Sequence, residues 1–318
     1  MLKLGLVGSS KITDRAVFIP VSMIPDMEVT GISTRNKDKI THKDNVIYYD
    51  DYRTMISGND IDAVYLPLPN ALHKQFITDA LDAGKHVLVE KPFCLKRNDT
   101  NEIIRISKEN NLIVHEALMT QHHEWAEKIS DIIRSEQYGR LTKVISYFYS
   151  TIEENATNYR FNKDMGGGCF YDFSPYWIHF LQKTVGLNPM EISVTPTING
   201  KYNIDAETDV YLKYPGCEVE FHASFNKPFK ASHHLTFEDG TLEIKNFLRP
   251  MLGFHKFYFD IIKNDTLSER IEFPKQNYYH NQLVIFKQLC MGEITVAHLH
   301  DELSERIGFM ENLYEYVY

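Results

Sequence analysis

The chain is poor in the features that mark disulfide-rich, zinc-binding, membrane and nucleic-acid-binding proteins. Cys94, Cys169, Cys217 and Cys290 are the only cysteines among 318 residues, and they are widely spaced, with no C-x-x-C pair. That excludes a zinc knuckle and a disulfide framework, and it fits reduced thiols in a cytoplasm. No stretch approaches 18 consecutive apolar residues, and the apolar start from Met1 to Gly8 is too short for a signal peptide. A soluble, unexported protein with no membrane partner is therefore expected. A basic excess is missing too. The net charge of -9 argues against nucleic acid as a partner, although a local basic pocket for phosphate remains compatible with it. Repeats and low-complexity linkers are also absent, so the two domains that this length allows are expected to be tightly joined.

Two further absences concern the N-terminal motif. Leu2 to Val7 reads as a buried strand running into Gly8-Ser9-Ser10-Lys11-Ile12-Thr13, with a helix expected over Ala16 to Met23. This is how a dinucleotide-binding βαβ unit begins, the helix N-terminal amides receiving the pyrophosphate. The second and third fingerprint glycines are missing, replaced by Ser10 and Thr13, and an ordinary βα turn accounts for these residues equally well. The second strand, Glu28 to Ser33, ends without the acidic residue that reads an NAD ribose. Ser33, Thr34 and Arg35 stand there instead, and a cation at this point favours the 2′-phosphate of NADP(H), with NAD(H) as the alternative. Further strands at Ile61 to Pro67, His86 to Val89 and Leu112 to His115 alternate with helices, which means a parallel sheet. Cofactor groups belong at the carboxyl ends of its strands. The candidates are Gly8, Ser9, Ser10, Lys11, Ile12, Ser33, Thr34, Arg35, Leu68, Asn70, His73, Glu90 and Lys91.

After about residue 118 the pattern changes, so a Rossmann domain over 1–118 and a substrate and oligomerisation domain over 119–318 are expected. Helix at Trp125 to Glu136 and strand at Leu141 to Ser150 are followed by strands at Asp209 to Tyr214, Cys217 to Phe225, His233 to Phe237 and Thr241 to Ile244. Their short turns make a mostly antiparallel sheet, with helices again at Asn281 to Met291 and Ala297 to Tyr316. The fold class is therefore an α/β Rossmann domain followed by an α+β domain. Helices enough for one sheet face leave the other as a bare apolar surface, which a partner copy would cover.

The centre of the second half is Gly166-Gly167-Gly168, where backbone without side chains permits a close approach of chain to ligand. A helix beginning soon after Gly168 would put Asp172, Tyr176 and His179 on one face at i, i+4 and i+7, beside an apolar stripe of Phe173, Trp177, Phe180 and Leu181. Pro175 leaves open a later start with Ser174 as the N-cap. A plain turn with a wet helix face is the bland account of the same residues.

Taken together, Tyr65-Leu66-Pro67-Leu68-Pro69-Asn70-Ala71-Leu72-His73, Ala83-Gly84-Lys85-His86-Val87-Leu88-Val89-Glu90-Lys91-Pro92 and the triple glycine with Asp172 carry a likeness over nearly the whole chain. In these motifs the sequence resembles the glucose-fructose oxidoreductase and inositol dehydrogenase family. Many members have histidine four residues after the motif aspartate, where this chain has Tyr176. That departure resembles the branch with glucose-fructose oxidoreductase, dihydrodiol dehydrogenase and nucleotide-sugar 3-ketoreductases. The resemblance implies an NADP(H)-dependent oxidoreductase acting on a sugar-like hydroxyl or carbonyl, a dimer or tetramer, and a site around Lys91, Asp172 and Tyr176. A phenol with pKa about 10 needs a neighbouring cation to work near neutrality. Tyr176 is thus expected as general acid/base, Lys91 as its electrostatic partner and donor to the substrate oxygen, and Asp172 as the group orienting a substrate hydroxyl or Lys91. His123, Tyr159, Arg160 and His179 are substrate-side candidates, each with packing as its plain alternative. Competing functions are a trans-dihydrodiol or aldose 1-dehydrogenase and a non-catalytic NADP-binding regulator. No metal is expected, because His122, His123 and Cys169 lack ligand spacing.

Overall fold

A computed structural model describes the chain except for residues 9–12, 35–43, 249–251 and 296. It separates into two compact units, Met1–Met119 with Tyr279–Ile307, and Thr120–Tyr278 with Gly308–Tyr318.

The first unit alternates strand and helix. Its elements are β1 (Leu2–Val7), a π-helical turn at Asp14–Phe18 ending on α1 (Ile19–Val21), β2 (Met27–Ser33), β3 (Ile47–Tyr49), α2 (Tyr52–Ser57), β4 (Ala63–Leu66), α3 (His73–Asp82), β5 (His86–Glu90), α4 (Arg97–Glu109) and β6 (Val114–Ala117). The strands form one six-stranded sheet in the order β3-β2-β1-β4-β5-β6, with every pairing parallel. That order reverses at β1, so the doubly wound switch point lies at its carboxyl end, where Gly8 follows. The helix expected over Ala16 to Met23 is instead the π turn and the three residues of α1, and Pro20 within it has no amide for a regular ladder. Neither β3 nor α2 is evident in the sequence, each being too short to show a period.

In the second unit, α5 (Trp125–Ser135), β7 (Leu141–Tyr149) and α6 (Cys169–Gln182) precede β8 (Glu191–Asn199), β9 (Ile204–Tyr214), β10 (Cys217–Ser224), β11 (Lys230–Phe237), β12 (Gly240–Lys245), β13 (Phe257–Lys263) and β14 (Thr266–Phe273). These make an eight-stranded sheet ordered β14-β13-β12-β11-β7-β10-β9-β8, in which only β7 and β10 pair in parallel. Strands β8, β13 and β14 were not expected. β8 contains Pro196 and lies at an edge, although its exposure alternates along the strand, and β14 is largely exposed, with no alternation to mark it. One face of the sheet packs against α6, with Trp177 stacked on Phe221 at 4.3 Å and Phe173 edge-on to Phe225. The other face is not the bare apolar surface expected. It carries Tyr147 stacked on His222 and ion pairs such as Lys143–Glu220 and His222–Asp209.

The helices α7 (Tyr278–Cys290) and α8 (Ala297–Tyr314) correct the expected domain division. Residues Tyr279–Ile307 cluster with the first unit, not with all that follows residue 118. The physical reason is a buried ion pair. The Arg306 guanidinium, 2% exposed, reaches Glu116 of β6 with an N···O distance of 2.6 Å. His300 Nε2 adds a contact to the Val114 carbonyl. No helix among the described residues is long and apolar enough to cross a membrane.

Candidate active site

In the first unit, the described members of the expected cofactor set lie toward the carboxyl ends of the sheet's strands. Gly8 sits at φ +109°, where a side chain would be strained, and a Cβ there would meet Leu68 Cδ2 at 3.4 Å. This bare turn at the switch point suits the close backbone approach of a dinucleotide, so the site fits the cofactor that the motif implies. Ser33 and Thr34 are buried at the end of β2, and Asn70 is 4% exposed at the start of a turn leading into α3. Ser9, Ser10, Lys11, Ile12 and Arg35 lie outside the described residues.

Lys91 follows β5 in a loop pinned on both sides. Tyr65 on β4 donates a hydrogen bond to Glu90 Oε1. The amide of Phe93 donates to Glu116 Oε1 at 2.8 Å, while Glu116 Oε2 takes Arg306. His73 lies wholly buried with Nδ1 2.9 Å from the Pro92 carbonyl and Nε2 2.9 Å from the Leu68 carbonyl. Two acceptors favour the charged ring, yet burial prevails and lowers its pKa. With both nitrogens engaged internally, His73 ties the Leu68 and Pro92 loops together. It does not reach outward as a cofactor contact would.

In the second unit, α6 begins at Cys169, directly after Gly168, and runs through Pro175, so the earlier of the two expected starts is the real one. Asp172, Tyr176 and His179 consequently share a helix face. Arg160, on a 3₁₀ turn at Tyr159–Phe161, grips Asp172 with both prongs: Nε to Oδ2 is 2.8 Å and Nη2 to Oδ1 is 3.1 Å. The charge of Asp172 raises the Arg160 pKa against the opposing effect of burial, and the Tyr176 phenol also interacts electrostatically with the guanidinium. Within this unit Arg160 is a cation that interacts with Tyr176, in addition to the Lys91 expected from the sequence. Tyr176 stacks over Phe148 at 6.4 Å, and Tyr159 lies against the guanidinium at 4.9 Å. The other two substrate candidates sit in packed surroundings. His179, 1% exposed, meets Trp125 edge-on at 6.0 Å. His123 is enclosed by Phe257, Phe273 and Tyr278, its Nδ1 accepts the Trp125 amide at 3.1 Å, and burial lowers its pKa to about 4.

The triple glycine works differently from expectation, because what approaches it is the protein itself. A Cβ at Gly167 would meet the carbonyl oxygens of Arg160, Tyr159 and Asn162 at 2.6 to 2.7 Å, and one at Gly168 would fall onto Asp205. The amides of Gly167 and Gly168 donate to the Asn162 and Arg160 carbonyls at 2.9 and 3.0 Å. The Arg160 turn is thereby laced to the start of α6. Asp205 went unnoticed in the sequence because strand alternation assigns it to the wet side of β9. The pairing register jumps from Thr197↔Glu207 to Ile198↔Asp205, and this bulge turns Asp205 inward, fully buried.

Comparison with known proteins places this architecture. A model of the "Oxidoreductase family, NAD-binding Rossmann fold" (GFO/IDH/MocA) matches residues 2–118, and that of the GFO/IDH/MocA C-terminal domain matches residues 126–243. The NADP-dependent D-xylose 1-dehydrogenase 2 of Haloferax volcanii is 26% identical over 244 residues, 75% of this chain and 74% of its own. The dTDP-3,4-didehydro-2,6-dideoxy-α-D-glucose 3-reductase of Streptomyces violaceoruber is 25% identical over 275 residues, covering 85% and 80%. Among solved structures, a 3-ketoreductase from Actinomadura kijaniata in complex with NADP and TDP-benzene superposes with a TM-score of 0.91 at 21% identity, covering 99% of this chain and 97% of that one.

Proposed function

The chain belongs to the GFO/IDH/MocA oxidoreductase family, and from that premise we propose that it transfers a hydride between NADP(H) and a hydroxyl- or carbonyl-bearing carbon of a sugar or sugar-like molecule. Bound at the carboxyl ends of the first sheet, the nicotinamide supplies or accepts the hydride. The protein's own part is to move a proton at the reacting oxygen and to hold the substrate. In this reading Tyr176 is the proton donor and acceptor, and Lys91 donates to the same oxygen and lowers the cost of the phenolate. Asp172 is fixed by Arg160 and orients a neighbouring substrate hydroxyl. Arg160 supplies a second positive charge close to the phenol.

The observation that carries the reading is the Arg160–Asp172 fork beside Tyr176 on the helix behind the three glycines. A buried carboxylate, a guanidinium and a half-buried phenol arranged this way suit proton transfer and hydroxyl recognition together. The relatives point to the substrate class, since those named above act on an aldose and on a dTDP-linked keto sugar. The sheet face opposite α6, charged and aromatic, is proposed to join copies of the chain. Light scattering at micromolar concentration is expected to give a dimer or tetramer, and a monomer would refute that assembly.

The test is a screen of aldoses, dTDP-sugars, cyclic polyols and trans-dihydrodiols by nicotinamide absorbance, followed by the Tyr176→Phe variant on the best substrate. Turnover should fall about 10² to 10⁴-fold, with NADP(H) binding retained. Wild-type turnover in that variant would refute the assignment of the proton donor. Cofactor binding with no turnover on any class would favour the regulator.

A further inference from the structure

We propose that Asp205 is a positioning residue for the active centre: its carboxylate, buried against the first turn of α6, fixes the helix that presents Asp172 and Tyr176. The proposal rests on the reading of Tyr176 as proton donor for its catalytic half only.

The geometry at Asp205 is one-sided. Oδ2 accepts the Phe170 amide at 2.7 Å, the Thr208 hydroxyl at 2.9 Å and the Cys169 thiol at 3.2 Å. Among the described residues Oδ1 is buried with no hydrogen-bond partner. It lies where a Gly168 Cβ would be, and Gly168 holds φ +107°. The chain therefore uses a glycine, in a conformation that other residues rarely adopt, to admit a carboxylate with one idle oxygen. If the residue served only to close the fold, a neutral acceptor would satisfy Phe170, Thr208 and Cys169 without the cost of burying charge. A carboxylate adds attraction to the positive end of α6, which fixes the helix start more firmly than a neutral acceptor would. The same turn is bonded through Gly168 to the Arg160 carbonyl, so the helix face and the guanidinium that grips Asp172 are fixed from one point.

Electrostatics agree. Burial raises the pKa of Asp205 to about 6 from its ordinary 3.8, against the hydrogen bonds that lower it. The groups facing it are Cys169 and Tyr171 from α6, Thr208 from β9, and Tyr314 and Tyr318 near the C-terminus, with Lys163 over the Tyr318 ring at 3.4 Å. Burial drives the thiol and all three phenols upward, so they keep their protons across the window in which Asp205 titrates. The sign of the stability effect follows. With its folded pKa above the unfolded value, Asp205 favours the folded state below about pH 4, and that contribution is lost as pH rises through about 6.

The experiment compares wild type, Asp205→Asn and Tyr176→Phe. D205N keeps the Oδ2 acceptor and removes the charge. Its kcat is expected to fall about tenfold or more with the NADP(H) dissociation constant unchanged, and amide exchange in the peptide spanning α6 should accelerate. Its melting temperature should equal or exceed that of wild type at about pH 8, the difference closing toward pH 4. Wild-type kcat should decline on the acid side near pH 6, a limb that D205N lacks. Wild-type turnover in D205N, or a lower melting temperature at pH 8, overturns the proposal, the latter because it marks an ordinary structural residue. If Y176F turns over normally while D205N does not, the proton-donor assignment fails and positioning by Asp205 stands. The reverse result sinks Asp205 alone. Asp205→Ser, which removes the charge and leaves space for water, serves the same comparison if D205N does not fold.

Discussion

The two units hold their chemistry-bearing residues by opposite means. Around Lys91, the loop is pinned by a ring lodged between two carbonyls, His73, and by a carboxylate already neutralised by a buried partner, Glu116 with Arg306. Around Tyr176, the pinning groups are a carboxylate fork gripped by a half-buried arginine, and Asp205, a buried carboxylate with one oxygen unbonded among the described residues. The first arrangement is a compensated network in which the buried Glu116 carboxylate faces the Arg306 guanidinium. The second leaves one buried carboxylate oxygen unbonded, among the described residues, at the start of the helix that carries Tyr176. Compensated networks confer rigidity, whereas uncompensated charge tunes acidity and is tolerated where function requires it.

The largest expected effect probes whether the two regions act on one oxygen. Lys91→Ala should reduce turnover at least as much as the loss of the Tyr176 hydroxyl, by about 10² to 10⁴-fold, with NADP(H) still bound. The double variant should be scarcely worse than the poorer single one, as for residues that work as a unit. Multiplying losses in steady-state assays would show two independent contributions.

The compensated side is broken by Arg306→Met, which takes the guanidinium away from the buried Glu116. A loss of about 3 to 5 kcal/mol in urea unfolding is expected, as for other broken buried pairs. A change below about 1 kcal/mol would mean that Glu116 is solvated in solution. Cofactor selection comes next in size. In the sequence Ser33, Thr34 and Arg35 stand where an acidic ribose reader would, and a charge-assisted ion pair with the 2′-phosphate is worth about 1.5 to 3 kcal/mol. Calorimetry should give NADP(H) about ten- to a hundredfold tighter than NAD(H). Equal affinities would remove the 2′-phosphate from the account. The smallest effect is expected from Arg160→Lys, which keeps the charge and loses the fork on Asp172. Turnover should drop by about tenfold or less, with the melting temperature little changed, and no drop at all would make the fork dispensable.

Much of the fold was legible because it rests on local pattern. The buried run Leu2 to Val7, the apolar strands ending at Leu66 and Glu90, and the alternation in Leu141 to Tyr149 and Cys217 to Ser224 are written as side-chain periods, and the strands form there. The spacing of Asp172, Tyr176 and His179 likewise needed only that helix begin at Cys169. The short β3 and α2 and the exposed β14 were not readable, since brief or unburied elements leave no period, whereas in β8 exposure alternates and Pro196 masks the strand.

By itself the sequence determined a parallel sheet with a bare glycine turn at its switch point, an antiparallel partner unit, and a helix carrying a carboxylate and a phenol one turn apart. All of these follow from periodicity and backbone freedom, which act over a few residues. Only the tertiary structure decided which residues hold that helix and the Lys91 loop. Arg306 meets Glu116 across 190 positions, and Asp205 reaches Phe170 across 35. A bulge in β9 reverses the side on which alternation would place Asp205. Those contacts depend on where distant segments meet and on one extra residue in a ladder, and neither is encoded in any local pattern.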